Sequence, residues 1–212
     1  MPLDDRDYMR RSSRSSRGNR GTGGYEWFTQ NPVLVLIAVN IVFFLATSIQ
    51  SNLLNLLGLA PSLFLERPWT IITSMFVHAN FLHIFGNMLT LFFFGQALKQ
   101  LVGPNRFLAV YFIGGIIGNI AFILLKISSH SVVIGASGAI YAVAGALVVL
   151  VPTMRVLMWF IAPMPLWIVV LLFFILWSFV PGVAWQAHMG GLAAGLVAGY
   201  IFRRSGRYYY LR

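Results

Sequence analysis

Ser137 is the strongest candidate nucleophile in this chain, because it stands among small residues where a polar segment gives way to an apolar one. The junction predicts a helix start, whose first backbone N–H groups have no partner within the helix and lie at the positive end of its dipole. Such a place suits an oxyanion. Gly135 and Gly138 let a second backbone approach the hydroxyl. The same pattern is also typical of a packing surface between membrane helices, and that alternative stays open here.

A histidine precedes a row of glycines in the last apolar segment of the chain. Glycines follow His188 at i+3, i+7 and i+11, so one helical face carries the imidazole and then a groove without side chains. Docking this groove on the helix of Ser137 would bring His188 against Ser137 and Tyr141. The residues of the two facing rows are Gly191, Gly195 and Gly199 in one segment, and Gly138, Ala142 and Gly145 in the other.

His83 and Asn87 form a second polar pair. They are four residues apart, so they share one helical face and could both donate hydrogen bonds to the same developing negative charge. Hydrogen bonding between helices is the alternative role for such residues. Of the other histidines, His78 is predicted to fix a loop or to lie at the membrane interface, and His130 to be an ordinary surface residue.

No carboxylate is available to complete a Ser–His–Asp triad. The only acids are Asp4, Asp5, Asp7, Glu26 and Glu66, and none lies in an apolar segment. If Ser137 is a nucleophile, it forms a dyad with His188, whose ring is aligned by packing against Tyr141. Two histidines without thiol or carboxylate partners make a poor metal site, so neither a metal nor another cofactor is expected.

Composition indicates a membrane protein. Of the 212 residues, 58% are hydrophobic and 9% are charged, and the mean hydropathy is +0.80, which is too apolar for a soluble domain of this size. The net charge of +10 lies mostly in the two tails. No folded basic domain is available to hold a nucleic acid duplex, so contacts with anionic lipid are the expected use of this charge.

The order of apolar and polar segments predicts an all-α, polytopic bundle of six transmembrane helices. Residues 1–24 are expected to form a disordered basic arm, 25–203 the membrane domain and 204–212 a basic tail. The connection over 49–80 is too amphipathic and interrupted to span, and is expected to lie in the interface as short helices. The predicted spans are 32–48, 81–99, 105–125, 136–151, 156–178 and 185–202.

The distribution of lysine and arginine predicts the orientation of the bundle. With these spans, 13 of the 15 basic residues fall on one side, and only Arg67 and Lys126 fall on the other. Both termini are therefore predicted to be cytoplasmic. The second, fourth and sixth spans then begin on the outer side, so His83, Asn87, Ser137 and His188 share one depth. The 13 are Arg6, Arg10, Arg11, Arg14, Arg17, Arg20, Lys99, Arg106, Arg155, Arg203, Arg204, Arg207 and Arg212.

Three motifs together resemble the signatures of rhomboid intramembrane serine proteases, over roughly residues 32–202. They are Gly135-x-Ser137-Gly138 with Tyr141, then Ala187-His188 with Gly191 and Gly195, and His83-x-x-x-Asn87. The resemblance implies that Ser137 is the nucleophile and His188 the general base. It also implies that His83, Asn87 and the Ser137 N–H stabilise the oxyanion. Trp69 matches the family's first-loop Trp-Arg pair, but the arginine position holds Thr70.

The sequence is therefore interpreted as a multi-pass endopeptidase of the cell membrane that cleaves transmembrane segments of other proteins near the outer face. Two alternatives belong to other classes of protein. An inactive relative that only binds membrane clients would be expected to lack Ser137 or His188, and both are present. A small transporter or channel would usually place ionisable residues along a pathway or show repeated halves, and neither is seen.

Overall fold

The computed structural model describes residues 31–126, 131–158, 162–178, 180 and 182–206. The predicted arm over 1–24 and His130 lie outside these residues. Short 3-10 turns occur at Pro61–Leu63 and Ser74–Phe76. The helices and strands, in chain order, are α1 (Pro32–Ile49), α2 (Asn52–Leu57), α3 (Thr70–Thr73), α4 (Phe81–Val102), α5 (Pro104–Leu125), α6 (Ser137–Leu150), β1 (Arg155–Met158), β2 (Ala162–Pro165), α7 (Leu166–Ser178) and α8 (Trp185–Arg204).

Local capping sets the boundaries of the long helices. The side chain of Asn31 accepts a hydrogen bond from the N–H of Val33 before α1, and Asn80 accepts one from His83 before α4. Asparagine is a favoured N-cap because its side chain satisfies a donor that the helix leaves free. Gly103 has φ +86° and separates α4 from α5, so the chain reverses there without a longer loop.

Three helices of the described residues are long and apolar enough to cross a membrane, namely α1, α4 and α5. The apolar helix α6 and the apolar part of α7 are shorter. Helix α8 has 20 residues but begins with Trp-Gln-Ala-His and ends with two arginines. Each of the six predicted spans thus contains a helix. Four of the helices agree with their predicted spans within a few residues at either end. The exceptions are α4, which is somewhat longer than predicted, and the helix of the fifth span.

The predicted span over 156–178 is wrong in its first part. Arg155–Met158 and Ala162–Pro165 pair as two antiparallel strands, with Arg155 opposite Pro165. The helix begins only at Leu166. Proline lacks the N–H that a helix needs, and it moves the preceding residue towards an extended conformation. Pro163 and Pro165 therefore stop a helix that apolar composition alone suggested.

Helix α6 lies at the centre of the bundle, with most of its residues buried. A Cβ added at Gly191 of α8 would overlap the carbonyl oxygen of Gly138, and one added at Gly195 would overlap that of Ala142. These contacts confirm the predicted docking of the two rows of small residues. On its other side α8 meets α5, where a Cβ at Gly118 would lie 2.5 Å from the carbonyl oxygen of Ala187. Close packing of this kind needs glycine at the contact.

The connection between α1 and α4 contains short helices, as the sequence predicts. Three of its side chains donate hydrogen bonds to the last carbonyls of α2, over residues 55–57. The donors are Arg67 Nη1 at 3.1 Å, Trp69 Nε1 at 3.2 Å and Thr73 Oγ1 at 2.7 Å. These carbonyls have no partner within the helix, so the side chains fix where α2 ends.

Candidate active site

Ser137 is the first residue of α6, and no side chain caps the helix before it. The first backbone bond within the helix runs from the N–H of Ile140 to the carbonyl of Ala136, at 3.0 Å. The N–H groups of residues 137–139 precede that bond and have no intrahelical acceptor. Gly135 has φ +117°, a conformation that favours glycine. The hydroxyl of Ser137 therefore stands beside N–H groups that have no acceptor within the helix, at the positive end of α6.

His188 forms the central contact of the site. Its Nε2 lies 2.7 Å from Ser137 Oγ, which is hydrogen-bond distance. The side chain is 7% exposed, and its ring packs on Tyr141 with centroids 4.5 Å apart and planes at 31°. The other ring nitrogen, Nδ1, is buried without a hydrogen-bond partner among the described residues. Within that part of the chain the ring is therefore aligned by packing against Tyr141, with no carboxylate behind it.

His83 and Asn87 lie close to the backbone of Gly135. A Cβ added at Gly135 would be 2.7 Å from His83 Nε2 and 3.7 Å from Asn87 Nδ2. Both polar groups therefore face the chain two residues before Ser137. Even a methyl group at position 135 would strike the imidazole of His83. The structure thus brings together the four polar residues that the sequence places at one depth.

His78 holds the residue directly before Ser137. Its Nδ1 is 3.2 Å from the carbonyl of Phe76, and its Nε2 accepts a hydrogen bond from the N–H of Ala136 at 3.5 Å. A proton on Nδ1 satisfies both contacts with a neutral ring. The sequence predicts a loop-fixing histidine here. The bonded residue lies 58 positions away, and no local pattern identifies it.

The environment of His78 makes the free energy of unfolding depend on pH. Burial, and then the neighbouring His83, lower the pKa of His78 to about 4 from an ordinary value of 6.5. The unfolded chain therefore takes up a proton on His78 at a higher pH than the folded protein does. The contribution of His78 to the free energy of unfolding is complete above pH 6.5 and is lost as the pH falls towards 4. One pKa unit corresponds to about 1.4 kcal/mol, so the loss is on the order of 2–3 kcal/mol.

We expect His78→Gln to remove part of this pH dependence, because glutamine can accept the Ala136 N–H but does not titrate. The measurement is the melting temperature of the purified protein in detergent between pH 4 and pH 8. The difference between wild type and variant should change across the window from pH 6.5 to pH 4. Parallel curves over that window would contradict the role given to His78.

Thr70 occupies the position where the resemblance leads one to expect arginine. The side chain is 1% exposed, and its hydroxyl donates a hydrogen bond to the carbonyl of Arg67 at 2.6 Å. Trp69 is 46% exposed. The first connection still contains an arginine, Arg67, which donates to the carbonyl of Asn55. It lies two residues before Trp69 instead of directly after it.

The histidines do not assemble a metal site in the described part of the chain. No group of three His, Cys, Asp or Glu side chains there could hold a metal ion. His78 and His83 pack edge to face with centroids 5.0 Å apart. Their ring nitrogens instead contact backbone groups of Phe76, Ala79 and Ala136.

Fold and site together define a helical membrane protein with a serine–histidine pair at the start of a buried helix. A family model described as the Rhomboid domain matches residues 65–205, well over half of the chain. The chain therefore belongs to the rhomboid family.

Curated relatives agree with this assignment. RHOMBOID-like protein 5 of Arabidopsis thaliana is 31% identical over 149 residues, which are 68% of this chain and 47% of the relative. YdcA of Bacillus subtilis, whose name places it provisionally among rhomboid proteases, is 34% identical over 63% of this chain and 66% of its own length. Rhomboid protein 1, mitochondrial, of Saccharomyces cerevisiae is 28% identical over 64% of this chain and 42% of its own length. This chain thus spans about half to two thirds of these relatives.

Proposed function

We propose that this protein is an intramembrane serine endopeptidase that hydrolyses peptide bonds in or near transmembrane segments of other membrane proteins. The observation that carries the proposal is the 2.7 Å contact between His188 Nε2 and Ser137 Oγ at the uncapped start of α6. A nucleophile within hydrogen-bond reach of a base is the arrangement that covalent catalysis requires. Family membership supports the same class of reaction.

The proposed reaction uses the neutral His188 as a general base. Ser137 Oγ attacks the scissile carbonyl carbon while Nε2 takes the hydroxyl proton. The tetrahedral intermediate carries its negative charge on the former carbonyl oxygen, beside the N–H of Ser137 and the side chains of His83 and Asn87. When the C–N bond breaks, the imidazolium gives its proton to the leaving amine. Water, deprotonated by His188, then hydrolyses the acyl-enzyme and releases Ser137.

We further propose that six helices, α1, α4, α5, α6, α7 and α8, form the bundle, with both termini cytoplasmic. The split of basic residues supports this orientation. Helix α6 has 14 residues and is therefore about 21 Å long, against a hydrocarbon core of roughly 30 Å. If its inner end reaches the cytoplasmic surface, Ser137 lies below the outer surface of the bilayer. The basic tails then face anionic lipid headgroups.

The proposed substrate follows from the depth of the site. A transmembrane helix has its backbone groups satisfied internally, and its carbonyls are protected from attack until the helix unwinds. Small or helix-weakening residues near the scissile bond lower the cost of unwinding. Segments that carry such residues close to the outer membrane surface are therefore the expected substrates.

The test is cleavage of a model transmembrane protein in liposomes, together with labelling by a fluorophosphonate that reacts with activated serines. Wild-type protein should cleave the substrate and take up one label, located at Ser137 by mass spectrometry. Ser48 provides a matched control, because its hydroxyl donates to the carbonyl of Phe44 within α1. Ser48→Ala should therefore leave both signals unchanged. A folded wild-type protein that neither labels nor cleaves would overturn the proposed function.

A further inference from the structure

A buried amide on α5 is hydrogen-bonded to the first connection and not to its own helix. Asn119 is 6% exposed. Its Nδ2 donates to the carbonyl of Ile71 at 2.8 Å and to the hydroxyl of Ser74 at 3.0 Å. A polar group buried in an apolar helix is costly unless it is hydrogen-bonded, and here both bonds reach one turn more than 40 residues away.

The same turn holds the segment that precedes the proposed nucleophile. The carbonyl of Ser74 accepts the N–H of Gly135 at 2.9 Å. Ser74 is 1% exposed, so neither its hydroxyl nor its carbonyl is readily replaced by solvent. A continuous path therefore runs from Asn119 through Ser74 to Gly135, two residues before Ser137. We call this path the Asn119–Ser74 link.

The position of Gly135 matters because its backbone has little room to shift. A Cβ there would be 2.7 Å from His83 Nε2 and 3.7 Å from Asn87 Nδ2. A movement of Gly135 changes the separation between these side chains and the N–H of Ser137. Those groups are the proposed oxyanion donors, and displacements of about 1 Å can cost on the order of 10²-fold in rate.

We infer that Asn119 and Ser74 are positioning residues that set the place of Gly135, and hence of Ser137, relative to His83 and Asn87. The inference rests on the proposed function for its catalytic consequence. Its structural consequence, a fixed segment over 133–138, does not depend on activity. Neither residue touches the reacting atoms, so both act through the backbone of Gly135.

The experiment compares Asn119→Leu with Asn40→Leu in liposomes. Asn40 is a matched control, because it is a fully buried amide whose Nδ2 donates within its own helix to the carbonyl of Leu36. Asn119→Leu should lower kcat by roughly ten- to a hundredfold, as displaced reacting groups do. Its KM should stay within about twofold, since the groups that bind the remote substrate are intact. Asn40→Leu should leave kcat within about twofold even if it lowers the melting temperature.

Ser74→Ala provides a second variant should Asn119→Leu fail to fold. It removes the hydroxyl acceptor and keeps the carbonyl, so its loss of kcat should be the smaller one. When Asn119→Leu does fold, the losses of the two single variants should not multiply in the double variant, because both residues act through one path. Multiplied losses would show that Asn119 and Ser74 act independently and would overturn the link.

Hydrogen exchange separates failure of this inference from failure of the proposed function. The backbone amides over 133–138 should exchange faster in Asn119→Leu and Ser74→Ala than in wild type, and should be unchanged in Asn40→Leu. If wild type proves inactive but this pattern holds, the link stands and the proposed function fails. If wild type cleaves, and Asn119→Leu changes neither kcat nor exchange over 133–138, the link is only an attachment of the loop and the inference fails.

Discussion

Ser137→Ala, His188→Ala and the double variant are expected to lose nearly the same activity, instead of multiplying their separate losses. The reason is the 2.7 Å contact between the two side chains. A serine without its base is a weak nucleophile, and a base without its serine has nothing to activate. Residues that act as one catalytic unit are strongly non-additive, with losses on the order of 10⁴–10⁶ in kcat. The measurement is cleavage of a model transmembrane substrate by each variant.

Asn87→Ala provides a graded comparison in the same assay. One lost oxyanion donor typically costs on the order of 10²–10³ in rate, and His83 with the Ser137 N–H can compensate in part. Each variant's melting temperature must be checked, because His188 and Asn87 are both buried. Cleavage retained by a folded Ser137→Ala protein would end the serine-protease proposal. Losses that multiply in the double variant would show that the two residues do not form one unit.

Gly195→Val is expected to lower stability and activity together. A Cβ at this position would overlap the backbone of Ala142 in α6, and a backbone atom cannot rotate away as a flexible side chain can. The helices must therefore separate, at a cost of about 1–3 kcal/mol. Because His188 lies on α8, the separation also moves its imidazole away from Ser137. Melting temperature and cleavage rate are the two measurements.

Gly86→Ala is the matched control for this substitution. Gly86 is also a glycine inside a long helix, but a Cβ there would meet nothing within 4 Å. The added methyl should be tolerated, and the helix should gain up to about 1 kcal/mol from the better propensity of alanine. If Gly195→Val melts and cleaves like Gly86→Ala, close contact between α6 and α8 does not position His188.

The amino-acid sequence alone was enough to predict the class of protein, which family membership confirms, and to indicate the residues of the candidate site. Apolar runs of about 20 residues predict membrane spans, because each apolar residue lowers the free energy of a helix in lipid independently of its distant neighbours. The serine–histidine pairing was predictable for a related reason. Glycines at helical spacing after His188, and small residues after Ser137, let those two faces approach closely.

The contacts that hold the segment before Ser137 are visible only in the folded protein. Val133 pairs with Leu59, Gly135 with Ser74, and Ala136 with His78. These bonds join residues far apart in the chain, and most involve backbone groups, which every residue carries. Residue type therefore does not predict them. The partners of Asn119 are also more than 40 residues away, so the sequence does not identify them either. The strand pairing of Arg155–Met158 with Ala162–Pro165 is hard to predict for a different reason, because the apolar composition of 156–178 favours a continuous helix. Pairing between distant backbone groups can be identified only when it is known how the helices pack, because that packing brings the paired segments together.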